Sequence, residues 1–216
     1  MAVYAEVEEV ETQLEAMGLT LTGLTRVVSA AVGGFTSTTR FHASASGGTY
    51  LYHEATAALR RLVMPLGGWD HDEEDRQPRT YSVERGIAIV VQSGNENTGI
   101  KEPEAEPRAR HPKGSATARK VVTNSEQLAL FPVPHVARLD QAAGEMLTWV
   151  LLICVEGGVA RAELSLPRQM SSDGRPCGWV HRIVLPELPI GAAPEDFSQR
   201  DTPPGTDVDV DVEWKQ

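Results

Sequence analysis

The stretch Leu147–Leu166, LTWVLLICVEGGVARAELSL, decides the fold. Two strand-like segments, 147–155 and 159–166, flank the turn Glu156-Gly157-Gly158, which is typical of a short β-hairpin. In the second segment small or apolar residues alternate with Arg161, Glu163 and Ser165. Because alternate side chains of a strand point to opposite faces, we expect one apolar face and one face in contact with water.

A third strand is predicted further along the chain. Ser171–Gly178 has the composition of a turn, and Trp179–Leu185 follows it as an apolar strand-like segment. Three strands in sequence joined by short turns favour a meander. We therefore predict an antiparallel β-meander over residues 135–190, followed by an acidic tail over 191–216.

The N-terminal region, residues 1–100, is predicted to be helical and mixed. Apolar residues recur at steps of four and three on one helical face before Gly18, and Tyr50–Met64 repeats such a pattern. The residues of the first face are Val3, Val7, Val10, Leu14 and Met17. Ile87–Val91 is a continuous apolar run, typical of a buried strand. The fold class predicted is α+β.

The composition is that of an ordinary globular protein. The 216 residues are 41% hydrophobic and 23% charged, with a formal net charge of −10. No apolar run reaches the roughly 20 residues of a membrane span, so we expect a cytoplasmic protein without membrane contact. Two cysteines, Cys154 and Cys177, fit neither a metal site nor a disulfide framework, and we expect no metal or cofactor.

The charge is unevenly distributed. The excess of carboxylates argues against a nucleic-acid footprint over the whole surface. Residues 101–126 contain three prolines and no apolar periodicity, which indicates a basic linker or exposed loop. The basic residues of its part without acidic residues, 108–120, are the candidates for contact with phosphate: Arg108, Arg110, Lys113, Arg119 and Lys120.

Residues 127–131 read Gln-Leu-Ala-Leu-Phe. This pentapeptide resembles the motif by which bacterial polymerases and repair proteins dock on the DNA sliding clamp, and it matches all four defining positions. The resemblance implies that Gln127 hydrogen-bonds at the rim of the clamp's pocket, while the apolar side chains of Leu128, Leu130 and Phe131 are its docking residues. A groove-binding peptide needs such a polar anchor and apolar side chains. Alternatively, these apolar residues face the protein's own core.

Catalytic residues are not assigned from the sequence, and a non-enzymatic protein is favoured. The resemblance implies an accessory or inhibitory protein in DNA replication or repair, with a phage or mobile element as one origin; the sliding clamp, and duplex DNA at the basic loop, would be its partners. Glu213-Trp214-Lys215, after three alternating aspartates, resembles part of a nuclease metal site. A metal-dependent nuclease or DNA-processing enzyme is therefore one alternative, and an acidic protein-interaction module that imitates nucleic acid is another.

Overall fold

A computed structural model of the chain describes residues 1–73, 77–111, 121, 124 and 146–191. The helices in this part are α1 Val7–Ala16, α2 Leu21–Thr36 and α3 Ser46–Val63, followed by the 3₁₀ turn Met64–Leu66. The strands are β1 Ala2–Tyr4, β2 Asp70–Asp72, β3 Arg79–Ser82, β4 Ile87–Ser93, β5 Leu147–Glu156, β6 Val159–Leu166, β7 Gln169–Met170, β8 Pro176–Cys177, β9 His181–Val184 and β10 Leu188–Pro189.

The main sheet has the strand order β1-β9-β6-β5-β4-β3-β2, and β10 also pairs with β6. The α+β class is confirmed, but the predicted antiparallel meander is wrong because the sheet is mixed. β5, β6 and β9 pair antiparallel, whereas β4 pairs parallel with β5 and β1 pairs parallel with β9. A parallel pairing needs a long connection, and residues 94–146 supply it between β4 and β5.

The start of the chain also differs from the sequence-based expectation. The apolar periodicity predicts Val3 on the first helical face, but Val3 lies in β1 opposite Arg182. The helix starts only at Val7, because Glu6 has an extended backbone with ψ of 140°. Gly18 closes this region with φ of 71°, as predicted from its position. Pairing with β9 therefore overrides the helical periodicity at the N-terminus.

The helices cover one face of the sheet. Apolar side chains at alternate positions of β4, β5, β6 and β9 form one core cluster with those of α1, α2 and α3. The central members on the sheet are Ile89, Trp149, Leu151, Leu164 and Ile183, all at most 1% exposed. Helix α2 begins where the Thr20 side chain accepts a hydrogen bond from the Gly23 N–H at 3.1 Å, a typical N-cap.

The opposite face of the sheet is not wet, contrary to the prediction from the alternation in β6. Glu163 and Arg182 are both fully buried there, with an Nη2–Oε2 distance of 2.7 Å. Arg182 also donates to the carbonyls of Ile100 and Ala105, and Glu163 accepts from the Gly99 N–H. This ion pair therefore holds residues 99–105, which follow β4, against this face of the sheet.

Several residues of the predicted linker 101–126 pack on this face. The Pro107 carbonyl accepts a hydrogen bond of 2.9 Å from the Trp179 indole. Val121 is 2% exposed, and Asn124 is fully buried. The Asn124 side chain is hydrogen-bonded to both backbone groups of Thr148 and to the Pro167 carbonyl. Polar side chains and backbone groups thus hold the described residues Pro107 and Asn124 in a segment that lacks apolar periodicity.

His181 occupies an aromatic site beside β1. Its ring is 6% exposed and lies between those of Tyr4 and Trp149, with centroid distances of 5.9 and 6.1 Å. The Tyr4 hydroxyl lies 3.3 Å from its Nδ1. Burial, and then the positive N-terminal amino group, hold the pKa of His181 below its usual value. The folded state therefore favours the neutral imidazole.

This environment predicts acid sensitivity. In the unfolded chain His181 gains its proton as pH falls through about 6.5, whereas the folded pKa is lower, so unfolding takes up a proton. Stability from this group is complete above that pH and declines below it, by up to about 1.4 kcal/mol per pH unit. We expect His181→Phe to flatten the dependence measured by urea unfolding between pH 7.5 and 5.5. His53→Phe replaces an exposed histidine and should leave the pH dependence of stability unchanged. Equal slopes in the parent and both variants would contradict the prediction.

Candidate binding cavity

A cavity of about 500 Å³ opens at the carboxyl ends of the parallel neighbours β4 and β5. The loop before α3, the first turns of α3, the end of α2 and residues 110–111 complete its wall. Its lining residues include Phe35, Ala45, Gly48, Thr49, Tyr52, Gln92, Ser93, Arg110, His111 and Cys154. Ligand sites in α/β sheets commonly lie beyond the carboxyl ends of strands, and the volume suits a small organic molecule.

The amino end of α3 opens onto this cavity without a side-chain cap. The N-cap residue is Ala45, which has no side-chain oxygen to accept from the first turn. Thr49 makes the first intrahelical bond, to the Ala45 carbonyl at 3.1 Å. The N–H groups of Gly47 and Gly48 precede it and have no acceptor within the helix. The helix dipole makes this end partly positive.

The charged groups in the cavity wall are basic. Arg110 and His111 line the mouth, and none of the lining residues in the described part is acidic. The Arg110 backbone is held at the end of β4, where its N–H donates to the Ser93 carbonyl at 2.8 Å. Its exposed guanidinium makes no hydrogen bond or ion pair with the described residues. The backbone of this cationic residue is therefore fixed, while its side chain is exposed.

Gln92 borders the cavity from β4 and is only 2% exposed. Within the described part of the chain, neither its Oε1 nor its Nε2 has a hydrogen-bond partner. Burying an amide in this state costs free energy, because its bonds to water are lost and not replaced. The nearby Cys154 thiol has a raised pKa, chiefly because of burial, with Arg161 acting in the opposite direction. Its neutral form is favoured, so it contributes no negative charge.

The residues predicted to contact phosphate do not lie together in the structure. Arg110 lies at the cavity, whereas Arg108 is directed to Glu106, with an Nη2–Oε2 distance of 2.6 Å. The remaining members of that set, Lys113, Arg119 and Lys120, lie outside the described residues, as do the docking residues Gln127, Leu128, Leu130 and Phe131 and the acidic tail.

The cavity residues Gly48, Gln92 and His111 were not singled out from the sequence. Gly47-Gly48-Thr49 does follow a Ser/Thr/Gly-rich loop at the start of a helical pattern, which is a weak signal for a helix N-terminus that binds an anion. Gln92 follows the apolar run of its strand as the first of two polar residues. Its burial depends on the segment after β4, which no local pattern reveals.

Within the part of the chain that the structure describes, no three histidine, cysteine or acidic side chains are grouped as metal ligands. None of the helices there is, by itself, long and apolar enough to cross a bilayer. Comparison of the whole chain with protein-family models, curated proteins and solved structures gives no significant match.

Proposed function

We propose that this protein is a non-enzymatic accessory or inhibitory protein that docks on a bacterial-type DNA sliding clamp through Gln127–Phe131. The observation that carries the proposal is the match of Gln127, Leu128, Leu130 and Phe131 to the four defining positions of the docking motif. The polar anchor and the closely spaced apolar side chains are those that a groove-binding peptide uses. The process in which the protein acts is DNA replication or repair.

The position of the motif in the chain supports this role. It begins three residues after Asn124, which is held by the backbone of Thr148 and the Pro167 carbonyl at 2.8–2.9 Å. The connection ends at Leu147, whose N–H donates to the Gly86 carbonyl at 2.9 Å. The described residues on either side of the motif, Asn124 and Leu147, are thus held by hydrogen bonds. A peptide inserted between two such anchors can bind a partner without altering the strand pairing.

A basic stretch that precedes the docking peptide in the sequence is compatible with contact to DNA. Arg108 and Arg110 have exposed side chains, although the chain has a net charge of −10. A protein held on a clamp is close to duplex DNA, so weak phosphate contacts act at a high effective concentration. Such contacts would be sequence-independent and would weaken with added salt.

The decisive test is binding to purified clamp by the full chain and by a Gln127→Ala, Leu130→Ala, Phe131→Ala variant. We expect the triple variant to lose at least about 30-fold in affinity, since hot-spot side chains each contribute about 2 kcal/mol or more. Isothermal titration calorimetry measures this directly.

The matched control is Val133→Ala with Val136→Ala, which truncates apolar side chains in the same connection but leaves the pentapeptide intact. It should bind as the parent does. Parent affinity in the triple variant, or no binding by the parent itself, would refute the proposal. Unchanged unfolding midpoints in all three proteins would show that the substitutions act on the interface and not on the fold.

A further inference from the structure

We propose that the acidic segment Glu195-Asp196-Phe197 of this chain docks intramolecularly in the cavity at the carboxyl ends of β4 and β5. In this arrangement Phe197 occupies the apolar part of the cavity, and the Asp196 carboxylate pairs with Arg110 at its mouth. The segment itself lies outside the described residues. The support comes from the cavity wall, from the place where the chain leaves the sheet, and from the distribution of charge.

The cavity presents an apolar surface that is only partly buried. Leu51 and Ile153 line it and are at most 2% exposed. Phe35, Tyr52 and Val155 also line it but are half-buried, so an apolar side chain docked against them removes further apolar surface from water. A volume of about 500 Å³ is in the range of small-ligand sites and is large enough for one phenylalanine side chain.

The chain leaves the sheet close to this cavity. The Ile190 N–H donates to the Gly158 carbonyl at 2.9 Å. Gly158 follows the lining residue Val155 by three positions, so their Cα atoms are at most about 11 Å apart. Phe197 follows Ile190 by seven positions, which span up to roughly 23 Å when extended. The segment is therefore long enough to reach the cavity from the end of β10.

The chain also leaves on the correct face of the sheet. Leu188 and Ile190 pack against the core cluster that the helices share with the sheet. Helix α2 contacts β10, and Phe35 near the end of the same helix lines the cavity. The segment after Gly191 can therefore enter the cavity without crossing the sheet.

Charge favours this cavity over two others in the described part of the chain. Residues 192–216 contain seven acidic and two basic residues. None of the described residues that line the proposed site is acidic, and Arg110 is exposed at its mouth. A second cavity, between α2 and α3, includes Glu54, and a third, beside β8, includes Glu106. An acidic segment meets like charge at both of these and opposite charge at the first.

The covalent connection makes even a weak contact effective. A short flexible linker gives the docked segment an effective concentration on the order of millimolar. A segment that binds as a free peptide with a Kd of about 1 mM therefore fills the cavity about half of the time. Any other ligand of this cavity has to displace it. The segment thus acts as an intramolecular inhibitor of the site.

The first test follows the backbone amide signals of the ¹⁵N-labelled full chain by NMR. Phe197→Ser removes the docked ring, and we expect the amide signals of Gly48, Thr49 and Val155 in the cavity wall to shift. Val208→Ser is the matched control, because it makes an apolar-to-serine change in the same acidic region and should leave these signals at their parent positions. Cavity signals at parent positions in Phe197→Ser, or shifted equally by Val208→Ser, would overturn the proposal.

A synthetic peptide of residues 192–200 measures the competition. It should bind the Phe197→Ser chain at least about 3-fold more tightly than the parent chain, because in the variant the chain's own segment no longer competes. The same peptide with the Phe197→Ser change should bind at least about 10-fold more weakly, since it lacks the apolar side chain. Equal affinity of the unchanged peptide for parent and variant, or no binding to either, would contradict the intramolecular contact.

Charge reversal tests the ion pair. The position of the Gly48 amide signal between its parent and Phe197→Ser values reports the docked fraction. Asp196→Lys and Arg110→Glu should each lower the ratio of docked to free segment by about 3-fold, and the two together should restore it. Arg61→Glu, on the last turn of α3, should leave the ratio unchanged. Parent-like ratios in both single variants would refute the pairing of Asp196 with Arg110.

Dilution distinguishes the chain's own segment from that of a second copy. Docking within one chain does not depend on protein concentration, so the cavity signals should keep their positions over a tenfold dilution. Movement toward the Phe197→Ser positions on dilution would overturn the proposal and identify a second copy as the occupant. All these variants retain Gln127–Phe131, so we expect unaltered clamp affinity, and failure of the cavity contact leaves the clamp proposal standing.

Discussion

Arg182→Met should lower the free energy of unfolding by about 3–5 kcal/mol, because it leaves the buried carboxylate of Glu163 without its charge partner. Both side chains are 0% exposed, so water cannot replace the lost donor. Four hydrogen bonds from the guanidinium disappear: two to Glu163 and one each to the carbonyls of Ile100 and Ala105. The segment after β4 should lose protection from amide hydrogen exchange as well.

Urea unfolding of the full chain measures the effect. Arg61→Met is the matched control, since its side chain is 67% exposed and lies 3.9 Å from Glu54; it should change stability by less than about 1 kcal/mol. Combining Arg182→Met with Glu163→Met should recover much of the loss, because no unpaired charge remains. A loss below about 1 kcal/mol in Arg182→Met alone would contradict the structural role of this pair.

The second large effect concerns two adjacent glycines of α2. Gly34 is buried against α3, and a Cβ there would lie 2.7 Å from the Tyr50 carbonyl oxygen, which is backbone and cannot rotate away. Gly34→Ala should therefore destabilise the protein by about 1–3 kcal/mol through overpacking. Gly33 is exposed, and its added Cβ would meet nothing within 4 Å. Gly33→Ala should stabilise by about 0.5–1 kcal/mol through helix propensity.

The two alanine variants carry the same chemical change in the same helix, so their difference isolates the α2–α3 contact. Thermal and urea unfolding should place the parent between them. Stabilisation by both substitutions would mean that the helices can separate without cost. Destabilisation by both would mean that propensity is not the governing factor at Gly33.

The hairpin of β5 and β6 was predictable because its signal is local. A continuous apolar strand, a glycine turn and an alternating strand lie within the twenty residues Leu147–Leu166, and the observed register across that turn agrees with them. β2 and β3 were missed because they lie in a polar segment. Asp72 and Arg79 pair across these strands at 2.7 Å, so charge complementarity replaces apolar alternation at this edge of the sheet.

The two candidate sites divide in the same way. The pentapeptide Gln127–Phe131 is a contiguous motif, so the sequence alone suggests a partner for it. The cavity is not contiguous. Its helix end, the end of β4 and Arg110 come from three separate segments, and their approach depends on the parallel pairing of β4 with β5.

By itself, the sequence determined the α+β class, the apolar runs that form the core, the turn glycines and a candidate docking peptide, because each depends on neighbours in the chain. Only the tertiary structure decided the strand order, the burial of Glu163 with Arg182, and the cavity at α3. The alternation in β6 correctly indicates that one face of the strand is apolar and the other is polar. Whether the polar face meets water or a covering segment depends on contacts more than 60 residues away, such as that of Gly99 with Glu163. Local patterns specify which groups need partners; long-range packing determines which partners they receive.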